Sequence, residues 1–546
     1  MHNNAAINAV HGNAEPAIHL PTATQGLNDD LLVEAKDATE LEHQMTLRQA
    51  LRLYPKAVGW SMLFSLALVM EGYDTLLLGS FYAFPTFVKK FGELQANGSY
   101  EISAPWQAGL SNGAQVGEFF GLFVAGYASD KFGYRKTMIA ALITITAFIF
   151  IQFFAPNIET LQVGYILCGI PWGVFQTITQ AYAAEVCPIA LRAYLTTYVN
   201  LCWLIGQLLA SGILRGMLSV DNEWGFRICY AIQWFWPVPI MTGVLLAPES
   251  PWWLVRHDRT EDAAKAIDRL TTKADLNFNT EQNVAMIVHT NDMEKKASEG
   301  TSYVDCFKGT DWRRTQIAST VYLMQAFCGS ALFSYSTYFY EQAGLPTTQS
   351  FNFTLIQYGL GVFGTLFSWV AMTYIGRRTL YLSGMGISFI LLLTIGCISV
   401  TASASKGGSW AIGSILLAFI LVNSVYEAPL KNDRDCAKRA NVGLIVNNIV
   451  TPYMLNPTAW NWKGKTGFFW AGINGILFVW AYFGLPEPKG LAYSELDVLF
   501  ERKVSARKFG TTTVDPFKAT STELDGPKSA VVMVENVKEY LTNSEV

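Results

Sequence analysis

Charge is what this sequence has least of. Only 15% of its 546 residues are Asp, Glu, Lys or Arg, against about 25% in an ordinary soluble chain. The shortage falls in blocks. Twelve stretches are nearly charge-free: Ala57–Gly79, Ala108–Ala128, Met138–Phe154, Leu161–Ala184, Tyr198–Leu214, Ile232–Ala247, Ile317–Tyr338, Phe353–Ile375, Leu380–Val400, Trp410–Val425, Val442–Leu455 and Gly467–Leu485. A helix needs roughly 20 apolar residues to cross a bilayer, and in lipid the backbone must satisfy its own hydrogen bonds. The pattern predicts an all-α, polytopic membrane protein with nominally twelve transmembrane helices, of which spans ten and eleven look truncated.

Other shortages exclude whole classes of chemistry. The eight cysteines form no CxxC pair, and Cys168, Cys202, Cys229, Cys328 and Cys397 lie inside apolar stretches. They read as small buried hydrophobes, with neither a disulfide frame nor a metal site. All six histidines (His2, His11, His19, His43, His257 and His289) lie outside the stretches, which argues against an intramembrane histidine relay or metal centre. Residues 1–56 lack the apolar core of a signal peptide. A net charge of −4 with no basic patch among aromatics gives no hint of nucleic acid. No nucleophile–base set or metal cluster points to an enzyme. Gly359-Leu-Gly361-Val-Phe-Gly364 spells a dinucleotide fingerprint, but no strand precedes it and no acid follows at the right distance, so no cofactor is expected.

Against this apolar background, three acids stand out: Glu71, Asp74 and Glu118. A carboxylate at bilayer depth costs about 2.5–3.5 kcal/mol on insertion scales, and such groups mark ion or proton paths. Glu71 and Asp74 are three apart, one turn along the same helical face. Glu118 falls within Gly113-xxx-Gly117-xxx-Gly121, a small-residue stripe that lets helices approach closely. All three are candidates for proton coupling.

Basic residues set the orientation. Lys131, Arg135 and Lys136 follow span two, Arg192 follows span four, Arg377 and Arg378 follow span eight, and ten Lys and Arg populate 251–314 after span six. These exits share one side, which predicts cytosolic termini. The expected organisation is a cytosolic tail (1–56), a six-helix bundle (57–250), a cytosolic helical insert (251–314), a second six-helix bundle (315–486) and a cytosolic tail (487–546). Within the insert, Thr260–Thr271 has helical spacing with Ala263, Ala264, Ile267 and Leu270 on one face. Asn97-Gly98-Ser99, opposite the basic loops, is a glycosylation acceptor.

The exits of spans two and eight resemble each other. Gly126-xxx-Asp130-Lys131-x-Gly133-x-Arg135-Lys136 is echoed by Gly376-Arg377-Arg378, as expected of an internal duplication. The first of these loops resembles the signature of the major facilitator superfamily. Glu185-x-x-Pro188-xxx-Arg192, Pro248-Glu249-Ser250-Pro251-x-Trp253-Leu254 and Pro486-Glu487-x-Lys489-Gly490 resemble its sugar porter family. Met70–Thr75, Ile170–Gly173, Glu185–Arg192, Ala247–Arg256, Tyr335–Phe339 and Thr451–Asn456 resemble the fungal maltose and general α-glucoside permeases.

The resemblance implies two pseudo-symmetric bundles, a midplane sugar site and proton-coupled alternating access in the plasma membrane. Gly126, Asp130, Gly133, Arg135, Lys136, Glu185, Arg192, Glu249, Arg377 and Arg378 would then serve the rocking of the halves. In the family's proton symporters an acid matches Asp74, but its usual arginine partner falls on Tyr165. Gln207 and Gln325 match sugar-binding positions, whereas Ala326 and Ala331 replace two further amides, which argues against simple hexose binding. Trp172, Tyr335 and Tyr338 are the candidate stackers. The expected partners are a sugar substrate, protons and the bilayer; the alternatives are a hexose carrier or a sugar sensor that does not transport.

The family pattern breaks between Trp410 and Asn456. Glu427 and Pro429 remain, but a polar run through Lys431, Asn432, Asp433, Arg434 and Asp435 stands where span eleven should open on apolar residues. Reading that stretch in another frame restores an apolar opening, so a misplaced splice boundary or frameshift is the expected cause. Transport by the chain as written is expected to be weak or absent.

Overall fold

The protein is described from a computed structural model, covering residues 41–42, 45–96, 98–272, 278–298, 309–401, 405–427, 437–486 and a few positions at 504–509. It separates into two compact units. One comprises residues 1–58, 185–191 and 248–299; the other comprises 59–184, 192–247 and 300–546.

The smaller unit is built from short helices. Thr46 opens Leu47–Leu53 with a capping box shared with Gln49, which satisfies two otherwise unpaired backbone donors. Helices Pro251–Arg256, Thr260–Leu270 and Thr280–Ser298 follow. The middle one buries Ala263, Ala266, Ile267 and Leu270. Ala266 thus takes the place expected of Ala264, because the buried stripe drifts with the 3.6-residue period. Glu185 accepts from Arg256 Nη2 and Ser250 Oγ, while Ser250 Oγ also caps the Pro251 helix.

The larger unit is a helical body. Ten of its described helices are long and apolar enough to cross a membrane. Span one is Pro55–Phe81, three Tyr134–Phe154, four Ile158–Val186, five Ile189–Met217, eight Thr347–Tyr374, nine Arg377–Thr401 and twelve Thr466–Gly484. Span six is interrupted: Trp224–Ala231, a 3₁₀ turn over Ile232–Phe235, then Pro237–Leu246. Span seven is broken into Gly309–Phe327 and Ala331–Ser334, and the separate short helix Ser336–Gln342 follows its end. Span two, Ala104–Phe132, has 29 residues but carries Glu118 and falls outside the ten.

Span ten corrects the sequence expectation. It runs Lys406–Glu427, 22 residues, about 33 Å long, because Lys406–Ser409 and Tyr426-Glu427 join the apolar centre. Span eleven runs Ala437–Leu455, 19 residues, and is apolar only over Gly443–Leu455, so its shortened apolar length stands. The run Lys431–Asp435, and with it the proposed frame error, lies outside the described residues, as does Asn97.

Two cations repeat one device. Arg135, at the start of span three, donates to the carbonyls of Val244 (3.3 Å) and Leu245 (2.6 Å) at the end of span six. Arg378, at the start of span nine, donates to the Tyr482 carbonyl (2.8 Å) near the end of span twelve. Last-turn carbonyls have no helical donors, and a cation there also meets the negative end of the helix dipole.

Spans one to six are hydrogen-bonded to seven to twelve at the end where span one finishes, called distal below. Tyr335 donates to Ser111 Oγ (2.7 Å), Ser80 and Thr337 hydroxyls lie 3.0 Å apart, and Asn456 Nδ2 donates to the Ile102 carbonyl (2.9 Å). Tyr82 and Tyr335 stack at 5.8 Å. At Gly79 a Cβ would stand 1.9 Å from the Ser334 carbonyl oxygen, so the two backbones touch. Beyond the spans, Gln342 Nε2 donates to Glu101 (3.3 Å) and Thr347 Oγ1 to Glu341 (2.6 Å). Burial pushes the Glu341 carboxyl up to about 7, and the neighbouring Glu101 adds to the rise while the Thr347 hydroxyl opposes it.

Candidate functional site

The site starts from close backbone approaches. A Cβ at Gly72 would meet the Trp203 carbonyl, and one at Gly206 the Val69 carbonyl, so spans one and five touch beside Glu71 and Gln207. Gly117 and Gly121 meet the carbonyls of Ile166 and Ile170, and Gly169 and Gly173 meet the backbone around Glu118. The small-residue stripe thus packs span two on span four and carries Glu118 to the same region.

The three acids do not form one group. Glu71, 2% exposed, accepts from Gln176 Nε2 of span four at 2.7 Å. Glu118, 4% exposed, accepts from Gln115 Nε2 at 3.2 Å and is the acid that acts electrostatically on Glu71. Asp74 is fully buried elsewhere in the first six spans. Its Oδ1 accepts from Gln233 Nε2 at 2.8 Å, and Gln152 of span three stands beside it. The 3₁₀ turn of span six presents Gln233. Tyr165, where the family has arginine, instead pairs its hydroxyl with Tyr230 at 2.7 Å.

Four of the five expected sugar-contacting residues share one property. Gln207 Oε1, Gln325 Nε2, Trp172 Nε1 and Tyr338 Oη are all buried with no hydrogen-bond partner among the described residues, a property they share with 25 other buried side-chain atoms. More than 90% of buried polar atoms in native structures are paired, so each orphan calls for a ligand or water. Gln207 and Trp172 lie in the first half, Gln325 and Tyr338 in the second. Tyr338 is beyond the break in span seven, near Glu101 and Glu341. Tyr335 belongs to the distal seam through Ser111.

The expected gating residues scatter. Arg135 and Arg378 cap carbonyls as described, Gly133 (φ +89°) joins spans two and three, and Gly126 accepts from Ser129 Oγ at 3.2 Å. Asp130 and Lys136 are exposed, Arg377 opens span nine, Glu249 accepts from the Ser250 N–H, and Arg192 lies in the first turn of span five. Glu185 sits with Arg256, which the motif PESPWWLVR contained without marking it. Gln176 and Gln233 were also missed: an intramembrane glutamine carries no spacing signal that names its partner.

With this geometry in place, the chain can be set beside known proteins. The model of the sugar (and other) transporter family matches residues 60–430. The chain belongs to the sugar transporter family. The match stops at the polar run where the family pattern breaks. The general alpha-glucoside permease of Saccharomyces cerevisiae strain S288c is 42% identical over 514 residues, covering 90% of this chain and 83% of that protein. A maltose permease of Saccharomyces cerevisiae is 41% identical over 541 residues, covering 95% and 87%. Among solved structures, the xylose transporter XylE from E. coli in a partially occluded inward open conformation superposes with TM-score 0.63 at 17% identity, covering 80% of this chain and 99% of that one. The protein is therefore a multi-pass membrane transporter of the major facilitator fold, related to permeases and not to enzymes.

Proposed function

We propose that this sugar transporter carries α-glucosides of the maltose type together with protons, by alternating access across the plasma membrane, with both termini cytosolic. The observation that carries the reading is the set of orphaned buried polar atoms on Gln207 and Gln325, one in each half. Amides bridge neighbouring sugar hydroxyls, and a dry site makes each unmet group costly, about 1–3 kcal/mol. Relatives named for α-glucosides and maltose support the substrate class, and Ala326 and Ala331 speak against a hexose site. Glu71, Asp74 and Glu118 supply groups able to bind and release a proton inside the membrane. The bonded distal seam corresponds to a state closed toward the outside.

Uptake of labelled maltose by the full chain in yeast lacking its own α-glucoside permeases, with external pH recorded, tests the reading. Maltose accumulation with alkalinisation is expected, at a low level in the chain as written because of the polar run before span eleven, and glucose is expected to compete poorly. Better competition by glucose overturns the α-glucoside assignment in favour of a hexose carrier; maltose binding without uptake overturns transport in favour of a sensor.

A further inference from the structure

The break in span seven frees a carbonyl beside Gln325. Gly329 adopts φ +103° between Phe327 and Ala331, a left-handed conformation that favours glycine. A side chain there would also meet Phe419 at 3.0 Å. The carbonyl of Ala326 takes the Ser330 hydroxyl at 2.9 Å and, from span eleven, Nδ2 of Asn447. One turn away, Gly443 packs against Leu323, Ala326 and Phe327. Span eleven therefore lies along the segment that bears Gln325.

Asn447 is 1% exposed. Because its nitrogen donates to a carbonyl, the amide has one orientation and Oδ1 is the remaining atom. Among the described residues that buried oxygen accepts from nothing, while Gln325 Nε2, on the residue next to Ala326, donates to nothing. An unmet acceptor is thus anchored at Ala326, and the residue before it carries an unmet donor. Neighbouring hydroxyls of a pyranose ring offer the complement, one donating and one accepting.

We propose that Asn447 is a specificity-determining residue, its Oδ1 accepting from one sugar hydroxyl while Gln325 Nε2 donates to the next. The assignment rests on the α-glucoside reading above. Asn447→Ala leaves the Ala326 carbonyl its bond from Ser330, so the break in span seven keeps one of its ties.

The test is maltose uptake by the full chain in the same yeast, with surface delivery measured by a fluorescent fusion and monodeoxy maltoses as competitors. In N447A the KM for maltose should rise about five- to tenfold, the loss of one neutral hydrogen bond, with maximal rate within about twofold. The parent's preference for maltose over one monodeoxy maltose should disappear, while its preferences over the others persist. Asn447→Ser is judged on the same criteria if N447A is not delivered to the membrane. An unchanged KM, or equal weakening toward every deoxy sugar, overturns the proposal. So does failure of both variants to reach the membrane, which would assign Asn447 to folding. A parent that neither takes up nor binds maltose would instead show that the α-glucoside reading itself fails.

Discussion

Glu71 and Asp74 sit one turn apart on the same helix, in different surroundings. Glu71 faces spans two and four, where Glu118 shares its neighbourhood and Gln176 holds one oxygen. Asp74 faces spans three and six, with Gln233 and Gln152 beside it and, among the described residues, no second acid acting on it. Paired acids can stand in for one another as proton carriers; a lone acid cannot. The difference separates a shared site from a single one.

The strongest challenge to this comparison is removal of all three acids. E71Q, D74N and E118Q together keep shape and hydrogen bonding but abolish titration. The expected result is maltose movement that equilibrates without accumulating and without alkalinising the medium. Accumulation equal to the parent would show that these acids do not carry the coupled proton. Single changes then sharpen the comparison: D74N should lower the accumulation ratio more than either E71Q or E118Q. A double-mutant cycle should show E71Q and E118Q to be non-additive, as expected of electrostatically interacting groups, and E71Q and D74N additive. Coupling of equal size between Glu71 and Asp74 would merge the two environments into one.

A smaller effect is expected across the halves. Q207A and Q325A should each raise the KM for maltose about tenfold, the equivalent of about 1.4 kcal/mol, without affecting delivery to the membrane. Unchanged KM in both would remove the orphaned amides from sugar recognition.

The smallest effect concerns the distal seam. The raised Glu341 carboxyl contributes stability that is full below its ordinary value of 4.5 and is lost as pH rises through about 7. E341Q should flatten the fall in melting temperature of the purified protein between pH 5 and pH 8. An identical pH profile in parent and variant would show that Glu341 does not titrate there.

The spans were legible from charge alone, because bilayer depth punishes charge along the whole length of a helix. The Gly/Asp/Arg loops were legible as motifs, and Arg135 and Arg378 turned out to perform the same capping in each half. The division of the acids was not legible. Residues three apart differ by about 60° around a helix, which a sequence pattern calls one face but which is enough to aim side chains at different neighbours. Span ten was misjudged for a related reason: Lys406, Gly407, Gly408 and Ser409 lower hydropathy but do not stop a helix. In the sequence Asn447 is one polar residue in a short apolar stretch, with no spacing signal that names a partner. Its significance depends on the Ala326 carbonyl, freed by a backbone angle at Gly329 that no residue count specifies.

The contact at Gly79 has a practical consequence. With its Cα against the Ser334 carbonyl, the distal end shuts only if residue 79 has no side chain. A single methyl group there would act as a wedge, raising the free energy of the shut state. Since the populations of two states follow their free-energy difference, about 1.4 kcal/mol of such strain shifts the balance tenfold. Gly79→Ala thus offers a graded way to bias the resting carrier toward the state open on its distal side.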